Sequence, residues 1–245
     1  MSSPSVLFLI AARGGSKGVP GKNLRRIGEL SLLGYKARAA LRCDDCKRLI
    51  VSTDSLDIQD EARRMGVEVP FTRPSELATD TASSESVVAH AIAWIEEHEN
   101  RAYDAIMLLE PSSPFATADH LSAAIELFTA RGADLVVGMR SSEPHSLFVG
   151  TQLDDGSIAP IVKNLAKASG VRRQDQKPEW TMNGALYLFG WDAFKKSGKI
   201  YGSPEKCYGL LMDHWHSMEI ETPDDLALAE FAVKKGLIDC SHWTG

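Results

Sequence analysis

The sequence predicts an α/β fold in which a mostly parallel sheet is covered by helices on both faces. Two observations support this prediction. Short continuous apolar runs alternate with longer segments of helical periodicity from Val6 to Met139, which is typical of parallel strands joined by crossover helices. Turn-rich segments follow Ala12, Thr53 and Leu109. Because ligands of such sheets bind beyond the carboxyl ends of the strands, we expect the functional residues in these loops.

The first predicted elements follow the N-terminus. Val6–Ala11 is a continuous apolar run that ends in a turn-rich segment, which indicates a buried strand. Residues 31–42 carry apolar side chains at helical spacing and predict a helix. The same two patterns predict a strand at 48–53, a helix at 57–65 and a third strand at 68–71.

The middle of the chain repeats this alternation with a longer helix. Residues 84–98 place apolar side chains on one face, as an amphipathic helix does. Ala105–Leu109 is another continuous apolar run, and the prolines at 111 and 114 end it. The pattern then predicts a helix at 118–130 and a strand at 133–139.

Residues 141–182 interrupt the alternation because they are polar and lack long periodic segments. We expect a small excursion from the sheet, a hairpin used in oligomer contacts, within one domain that spans residues 1–245. Residues 183–189 then return to the sheet as a strand. A final helix is predicted at 223–235, since Thr222 is a suitable N-cap residue and a proline follows it.

Bulk properties exclude several classes of function. The net charge of -6 and the pI of about 5.7 argue against a general nucleic-acid binder. No apolar stretch approaches the roughly 20 residues that span a membrane, and no signal peptide is visible. The four cysteines include a lone CxxC at 43–46, which lacks the second pair of a structural zinc site. We therefore expect a cytoplasmic protein with reduced thiols.

The strongest local motif is RGGSKGVPGKN at residues 13–23, directly after the first strand. Glycines let the backbone approach a ligand closely, and Arg13, Lys17 and Lys22 add positive charge beside the main-chain amides. The segment therefore predicts a cradle for a polyphosphate, with a flexible basic turn as the alternative. It matches neither the Walker A pattern nor GxGxxG, which disfavours a dinucleotide-dependent oxidoreductase.

This loop and several later motifs resemble the acylneuraminate cytidylyltransferases, the synthetases of CMP-sialic and other CMP-nonulosonic acids. The further motifs occur in the same order: VSTD at 51–54, RP at 73–74, LATDTASS at 77–84, PSSP at 111–114 and NGALY at 183–187. The resemblance extends over about residues 5–233. It implies a homodimer with a nucleotide-diphospho-sugar transferase-like fold. The implied reaction is attack of the 2-hydroxyl of a nonulosonic acid, first of all N-acylneuraminate, on the α-phosphate of CTP, with release of pyrophosphate.

The resemblance also implies roles for individual residues of the nucleotide site. Arg13 and Lys22 would neutralise charge on the transferring phosphate and Asn23 would supply a directed amide, so these three are the expected catalytic residues. Arg73 would donate to the adjacent acceptors O2 and N3 of cytosine. The expected nucleotide contacts are Gly14, Gly15, Ser16, Arg73 and Ser84.

Glu219-Ile220-Glu221 occupies the place of the family's Asp-x-Asp metal pair. If this segment is a strand, both carboxylates project to one face and can reach one Mg²⁺, the implied cofactor. The alternative is an exposed strand edge with two solvated acids. Because glutamates replace aspartates, a catalytically weak nucleotide-binding protein is a second functional hypothesis.

For the sugar, the resemblance implies contacts from Glu110, Arg173, Asn183, Tyr187 and Tyr201, with Arg173 bound to the substrate carboxylate. The sequence departs from the family in this pocket. Glu110 replaces a glutamine, Ser146 a lysine, and Ile200 with Tyr201 a pair of phenylalanines. A carboxylate only accepts hydrogen bonds, so we expect Glu110 to meet a hydroxyl or amide donor. Legionaminic, pseudaminic and deaminated sialic acids are therefore alternative substrates. The base for the sugar hydroxyl stays open between a metal-bound water and a carboxylate.

Overall fold

The computed structural model describes residues 4–143, 145–167 and 177–244. Its strands are β1 (Val6–Ala11), β2 (Arg26–Ile27), β3 (Leu30–Ser31), β4 (Cys46–Ser52), β5 (Ala105–Leu109), β6 (Leu135–Ser141), β7 (Trp180–Gly190) and β8 (Cys207–Leu211). Its α-helices are α1 (Leu32–Leu41), α2 (Leu56–Arg64), α3 (Ser84–Glu99), α4 (Ala118–Arg131), α5 (Ala159–Lys167), α6 (Trp191–Ser197) and α7 (Pro223–Lys234).

Six of these strands form one sheet in the order β4-β1-β5-β7-β6-β8. β4, β1 and β5 pair in parallel, as do β6 and β8. β7 runs antiparallel to its neighbours β5 and β6. The predicted mostly parallel sheet is thus confirmed, with β7 as the reversed strand among those described.

Two apolar cores cover the two faces of the sheet. On β1, Phe8 and Ile10 pack into the core that includes residues of α1, α4 and α7. Leu7 and Leu9 point the other way, into the core that includes residues of α3 and α6. β1 is buried on both faces and paired on both edges, so the loop after it opens at the middle of the sheet's carboxyl edge.

The structure corrects several predicted elements. Residues 68–71 do not form a third strand; they contribute one isolated bridge, because Pro70 cannot donate to a ladder. The excursion is not a hairpin in its described part, which contains α5 instead. It is also shorter than predicted, because β7 begins at Trp180. α6 and β8 were not predicted, since α6 is short and β8 has no regular alternation.

The start of α7 is formed as predicted. The Thr222 side chain accepts from the backbone N–H of Asp225, and the Asp225 side chain accepts from the backbone of Thr222 in return. Asp225 Oδ2 also accepts from the backbone N–H of Glu221 at 3.0 Å. The cap therefore fixes the segment that carries the predicted metal pair. In the described part of the chain, no helix has the length and apolar character needed to cross a membrane.

Candidate functional site

A cleft of about 390 Å³ opens where the loops that follow β1 and β5 meet. It lies at the carboxyl edge of the sheet, which is the predicted location. Most of the predicted catalytic and nucleotide-contacting residues line it: Arg13, Ser16, Lys22, Asn23, Arg73 and Ser84. Glu110, predicted as a sugar contact, and Glu221, predicted as a metal ligand, line it as well. The cleft therefore brings together side chains that lie far apart in the sequence.

Hydrogen bonds hold the glycine-rich loop at the floor of this cleft. Asn23 is buried, and its Nδ2 donates to the main-chain oxygen of Arg13 at 2.8 Å. The backbone N–H of Gly14 donates to Asp54 Oδ1 at 2.9 Å. No atom lies within 4 Å of the place where a Cβ on Gly15 would stand, so the loop is open at that point. In this structure Asn23 and Gly14 thus brace the loop.

The three cations of the loop are already paired with carboxylates. Asp80 bridges two of them, since its Oδ1 lies 2.8 Å from Arg13 Nη1 and its Oδ2 lies 2.5 Å from Lys17 Nζ. These two cations hold the pKa of Asp80 below its ordinary value. Lys22 Nζ lies 2.9 Å from Glu221 Oε1. Asp80 therefore stands where an anionic ligand would meet Arg13 and Lys17. Its place inside the LATDTASS motif was the available signal for it.

Arg73 is buried at the back of the cleft, 5% exposed. Its Nε donates to Ser52 Oγ at 3.0 Å, and its Nη2 donates to the main-chain oxygen of Ser52. Burial lowers the pKa of Arg73 to about 10, which leaves it charged at neutral pH. One edge of the guanidinium is thus fixed to β4, while the other edge, Nη1 with the second hydrogen of Nη2, can donate to a ligand with two adjacent acceptors.

A second cavity, of about 130 Å³, adjoins the cleft and shares Ser84 and Glu110 with it. Tyr187 and Tyr201 also line this cavity. Burial raises the pKa of Glu110, whereas the charge of Lys36 acts in the opposite direction. Ser84 Oγ donates to Glu110 Oε1 at 3.4 Å. Glu110 therefore lies between the larger cleft, which is lined by Arg13, Lys22 and Arg73, and a smaller pocket with hydroxyl groups.

The other predicted sugar contacts have different positions. Asn183 is fully buried, and its Nδ2 donates to Ser217 Oγ at 3.0 Å while its Oδ1 accepts from the N–H of Ala185. It acts in this structure as an internal brace of β7. Arg173 lies outside the described residues. Ser146 is bonded to Glu179 through its N–H and its hydroxyl, both at 2.6 Å.

The prediction that Glu219 and Glu221 lie on a strand is wrong. Their segment follows β8 without strand structure, and it is held by a 2.7 Å hydrogen bond from Ile220 N to the main-chain oxygen of Ser112. Ile220 is fully buried, and the carboxylates of both glutamates reach cations: Glu221 pairs with Lys22, and Glu219 Oε2 lies 3.7 Å from Arg140 Nη2. Burial raises the pKa of Glu219, and the nearby Glu221 adds to this rise.

These two carboxylates fit Mg²⁺ better than a transition metal. Among the described residues, no group of three or more His, Cys, Asp or Glu side chains is arranged to hold a metal ion. Mg²⁺ commonly binds through one or two carboxylates and completes its shell with water and substrate phosphates. Glu221 lines the cleft beside the cradle, so with Glu219 it would supply the protein share of such a shell.

Sequence reasoning missed Lys36, which lies beneath the site on α1. It is fully buried, and its Nζ donates to the main-chain oxygen of Ala185 at 2.7 Å. The available signal was a lysine inside the apolar stripe of the predicted helix, between Leu33 and Ala40.

Comparisons with known proteins show the family of this chain. The family model described as "Cytidylyltransferase" matches residues 7–169. A CMP-N,N'-diacetyllegionaminic acid synthase of Legionella pneumophila is 31% identical over 92% of this chain and 94% of its own length. An N-acylneuraminate cytidylyltransferase of Streptococcus agalactiae is 28% identical over 89% of this chain and 51% of its own length.

A solved structure shares the fold. It is that of a CMP:2-keto-3-deoxy-manno-octonic acid synthetase complexed with CTP, with a TM-score of 0.67 and 14% identity. The alignment covers 94% of this chain and 99% of that chain. The likeness confirms the expected fold class.

Proposed function

This chain belongs to the cytidylyltransferase family, and we propose that it transfers the cytidylyl group of CTP to a nonulosonic acid, first of all an N-acylneuraminate. The products are the CMP-sugar and pyrophosphate. One observation carries the proposal: Glu110 lies between a cationic cleft and a hydroxyl-lined cavity, an arrangement that supports binding of an acceptor sugar beside a nucleotide. The family match supports the same reaction.

The reaction needs charge neutralisation more than covalent chemistry. The 2-hydroxyl oxygen of the sugar bonds to the α-phosphorus as the bond from that phosphorus to the bridging oxygen of pyrophosphate breaks. The electron pair of that bond leaves with pyrophosphate, and the hydroxyl proton passes to a nearby carboxylate or to water. Arg13 and Lys22 line the cleft and are assigned to the phosphates, where they offset the charge that develops during transfer. Glu219 and Glu221 are assigned to Mg²⁺, which neutralises triphosphate charge when bound. Arg73 is assigned to the cytosine, with Ser84 beside it at the start of α3.

Release of pyrophosphate tests this function. Purified protein should release pyrophosphate from CTP with Mg²⁺ only when a nonulosonic acid is present. The panel should contain N-acetylneuraminic, legionaminic, pseudaminic and deaminated sialic acids. If CTP binds but none of these sugars gives pyrophosphate, the chain is the nucleotide-binding protein that the two glutamates suggested as an alternative.

We expect the Glu110→Gln variant to change which sugar is preferred. A carboxylate accepts hydrogen bonds only, whereas an amide also donates, so one contact to the sugar changes from matched to mismatched. The ratio of kcat/KM between N-acetylneuraminic acid and the best alternative sugar should shift by about tenfold, the effect of one such contact. Glu97→Gln, an exposed change on α3, is the matched control. An unchanged ratio would mean that Glu110 does not contact the sugar.

We expect the Asp80→Asn variant to bind CTP more tightly in the absence of Mg²⁺. Asp80 competes with the ligand for Arg13 and Lys17, and its removal frees both cations. The pairs are exposed to solvent, so the gain should be only about two- to fivefold in Kd, measured by calorimetry. Glu126→Gln removes the same charge from the exposed face of α4 and should leave Kd unchanged. Weaker binding by Asp80→Asn would show that Asp80 helps to hold the ligand.

We also propose a homodimer that uses the excursion. Its described part exposes large apolar side chains, including Phe148, Ile158 and Val162, and Trp180 is exposed at the start of β7. Such a surface fits a second copy of this chain, because monomers rarely expose a large contiguous apolar patch. Light scattering after gel filtration should give twice the mass of one chain, and Val162→Glu should give a monomer.

Since CTP is a cytoplasmic metabolite, we place the reaction in the cytoplasm.

A further inference from the structure

Lys36 is a fully buried lysine without an ion pair in the described part of the chain. It lies on α1, whose neighbouring side chains are apolar, and burial lowers its pKa to about 7. Its described hydrogen bond goes to the main-chain oxygen of Ala185, at 2.7 Å. Burying a charged amine costs free energy unless hydrogen bonds or opposite charges compensate for it. We therefore expect the burial of Lys36 near the candidate site to have a structural or functional role.

The carbonyl that accepts from Lys36 belongs to Ala185, next to a bulge of β7 at Gly184 that we call the Gly184 turn. Gly184 adopts a positive φ of 64°, and the register between β6 and β7 shifts at this level. Ser113 Oγ donates to the main-chain oxygen of Asn183 at 2.8 Å, on the other side of Gly184. The turn is therefore tied on one side by Ser113 and on the other by Lys36.

The carboxylates of Glu219 and Glu110 both lie against this turn. A Cβ placed on Gly184 would lie 3.0 Å from Glu219 Oε1 and 3.4 Å from Glu110 Oε2. The backbone of Gly184 thus forms the surface against which the two carboxylates are set. A small shift of the turn would move both of them.

Lys36 also interacts electrostatically with this part of the site. Its ammonium group interacts favourably with Glu110, which is itself largely buried. Glu110 has a weak hydroxyl donor in Ser84, at 3.4 Å, and its carboxylate makes no ion pair in the part of the chain that the structure describes. The ammonium form of Lys36, which predominates below a pH of about 7, therefore offsets the charge of Glu110.

We propose that Lys36 is a positioning residue for the acceptor sugar: it fixes the Gly184 turn and supplies the positive charge that holds the Glu110 carboxylate in its place between cleft and cavity. The role rests on the proposed function for the identity of the ligand. It requires no contact between Lys36 and the substrate.

The Lys36→Met variant separates this role from plain structural support. Methionine has a similar length without charge. Its introduction leaves the buried Glu110 carboxylate and the Ala185 carbonyl without Lys36 as a partner, so we expect the melting temperature to fall. In the folded variant, KM for the sugar should rise by about tenfold or more, as for loss of a charged contact. KM for CTP should rise by less than KM for the sugar, because the glycine-rich loop lies apart from the turn and only Glu219 of the nucleotide side is set against it. Lys196→Met, an exposed change on α6, is the matched control.

A double-mutant cycle with Glu110→Gln tests the path through Glu110. In the Glu110→Gln background, Lys36→Met should raise KM for the sugar by clearly less than in the unsubstituted protein, because no carboxylate remains to be held and only the hydrogen bond to Ala185 is lost. The same tenfold effect in both backgrounds would overturn the role of the charge. If Lys36→Met does not fold, Lys36→Gln serves instead, since it keeps an N–H donor for Ala185 and removes only the charge.

The failure of this role is distinguishable from failure of the proposed function. The unsubstituted protein is assayed first for pyrophosphate release with the sugar panel, and absence of release refutes the function. If it turns over and Lys36→Met shows the same KM for the sugar, only the role of Lys36 is refuted.

Discussion

The Gly18→Ala variant is expected to lose about 100-fold or more in kcat/KM for CTP, the cost of displacing a catalytic loop by about 1 Å. A Cβ on Gly18 would stand 2.1 Å from the main-chain oxygen of Glu221. This neighbour is backbone, so it cannot turn away as a side chain can. Either the glycine-rich loop or the segment of Glu219 and Glu221 must move, and the pair between Lys22 and Glu221 is lost with it.

Steady-state kinetics of pyrophosphate release measures this loss, and thermal unfolding shows whether the fold survives. Gly15→Ala is the control for stability, because nothing lies within 4 Å of its added methyl group and its φ is not positive. We expect its melting temperature to equal that of the unsubstituted protein. A Gly18→Ala variant with unchanged kinetics would show that the loop and the Glu221 segment need not touch during turnover.

The Glu219→Gln variant should lose about 100- to 1000-fold in kcat, the range for removal of one group that stabilises transition-state charge. The amide keeps the shape of the side chain but removes the charge that attracts Mg²⁺. The variant should also lose most of the gain in CTP affinity that Mg²⁺ gives the unsubstituted protein, a readout that does not depend on turnover.

Calorimetry with CTP, with and without Mg²⁺, measures that gain. Glu205→Gln removes an equal charge from an exposed position beside β8 and should leave both quantities unchanged. If Glu219→Gln responds to Mg²⁺ like the unsubstituted protein, the ion is held elsewhere, and the pair with Arg140 would be the main role of Glu219.

Sequence patterns predicted the elements whose signal is local. β1 and β5 were found because continuous apolar runs are typical of strands buried on both faces, and their bounds are confirmed. α3 was found from its apolar stripe. The third strand at 68–71 failed because Pro70 interrupts an otherwise suitable run, and β8 was missed because its residues show no regular alternation.

The residues of the candidate site also fall into two groups: those with a local signal in the sequence and those that only tertiary contacts identify. The loop of residues 13–23 was identified because its glycines and charges are adjacent, and its predicted side chains do line one cleft. The roles of Asp80 and Lys36 depend on tertiary contacts. Asp80 pairs with Arg13, and Lys36 donates to the main-chain oxygen of Ala185. The apolar stripe of α1 indicates that Lys36 is buried, but no local pattern shows that its amine contacts β7.

The contact between Lys22 and Glu221 joins residues separated by 199 positions. During synthesis the basic loop leaves the ribosome long before its acidic partner exists. Closing so large a loop is slow, and pairings distant in sequence generally form late in folding. The cradle therefore spends the period of chain growth without Glu221, so competence to bind nucleotide should appear among the last steps of folding, after the β4-β1-β5 sheet.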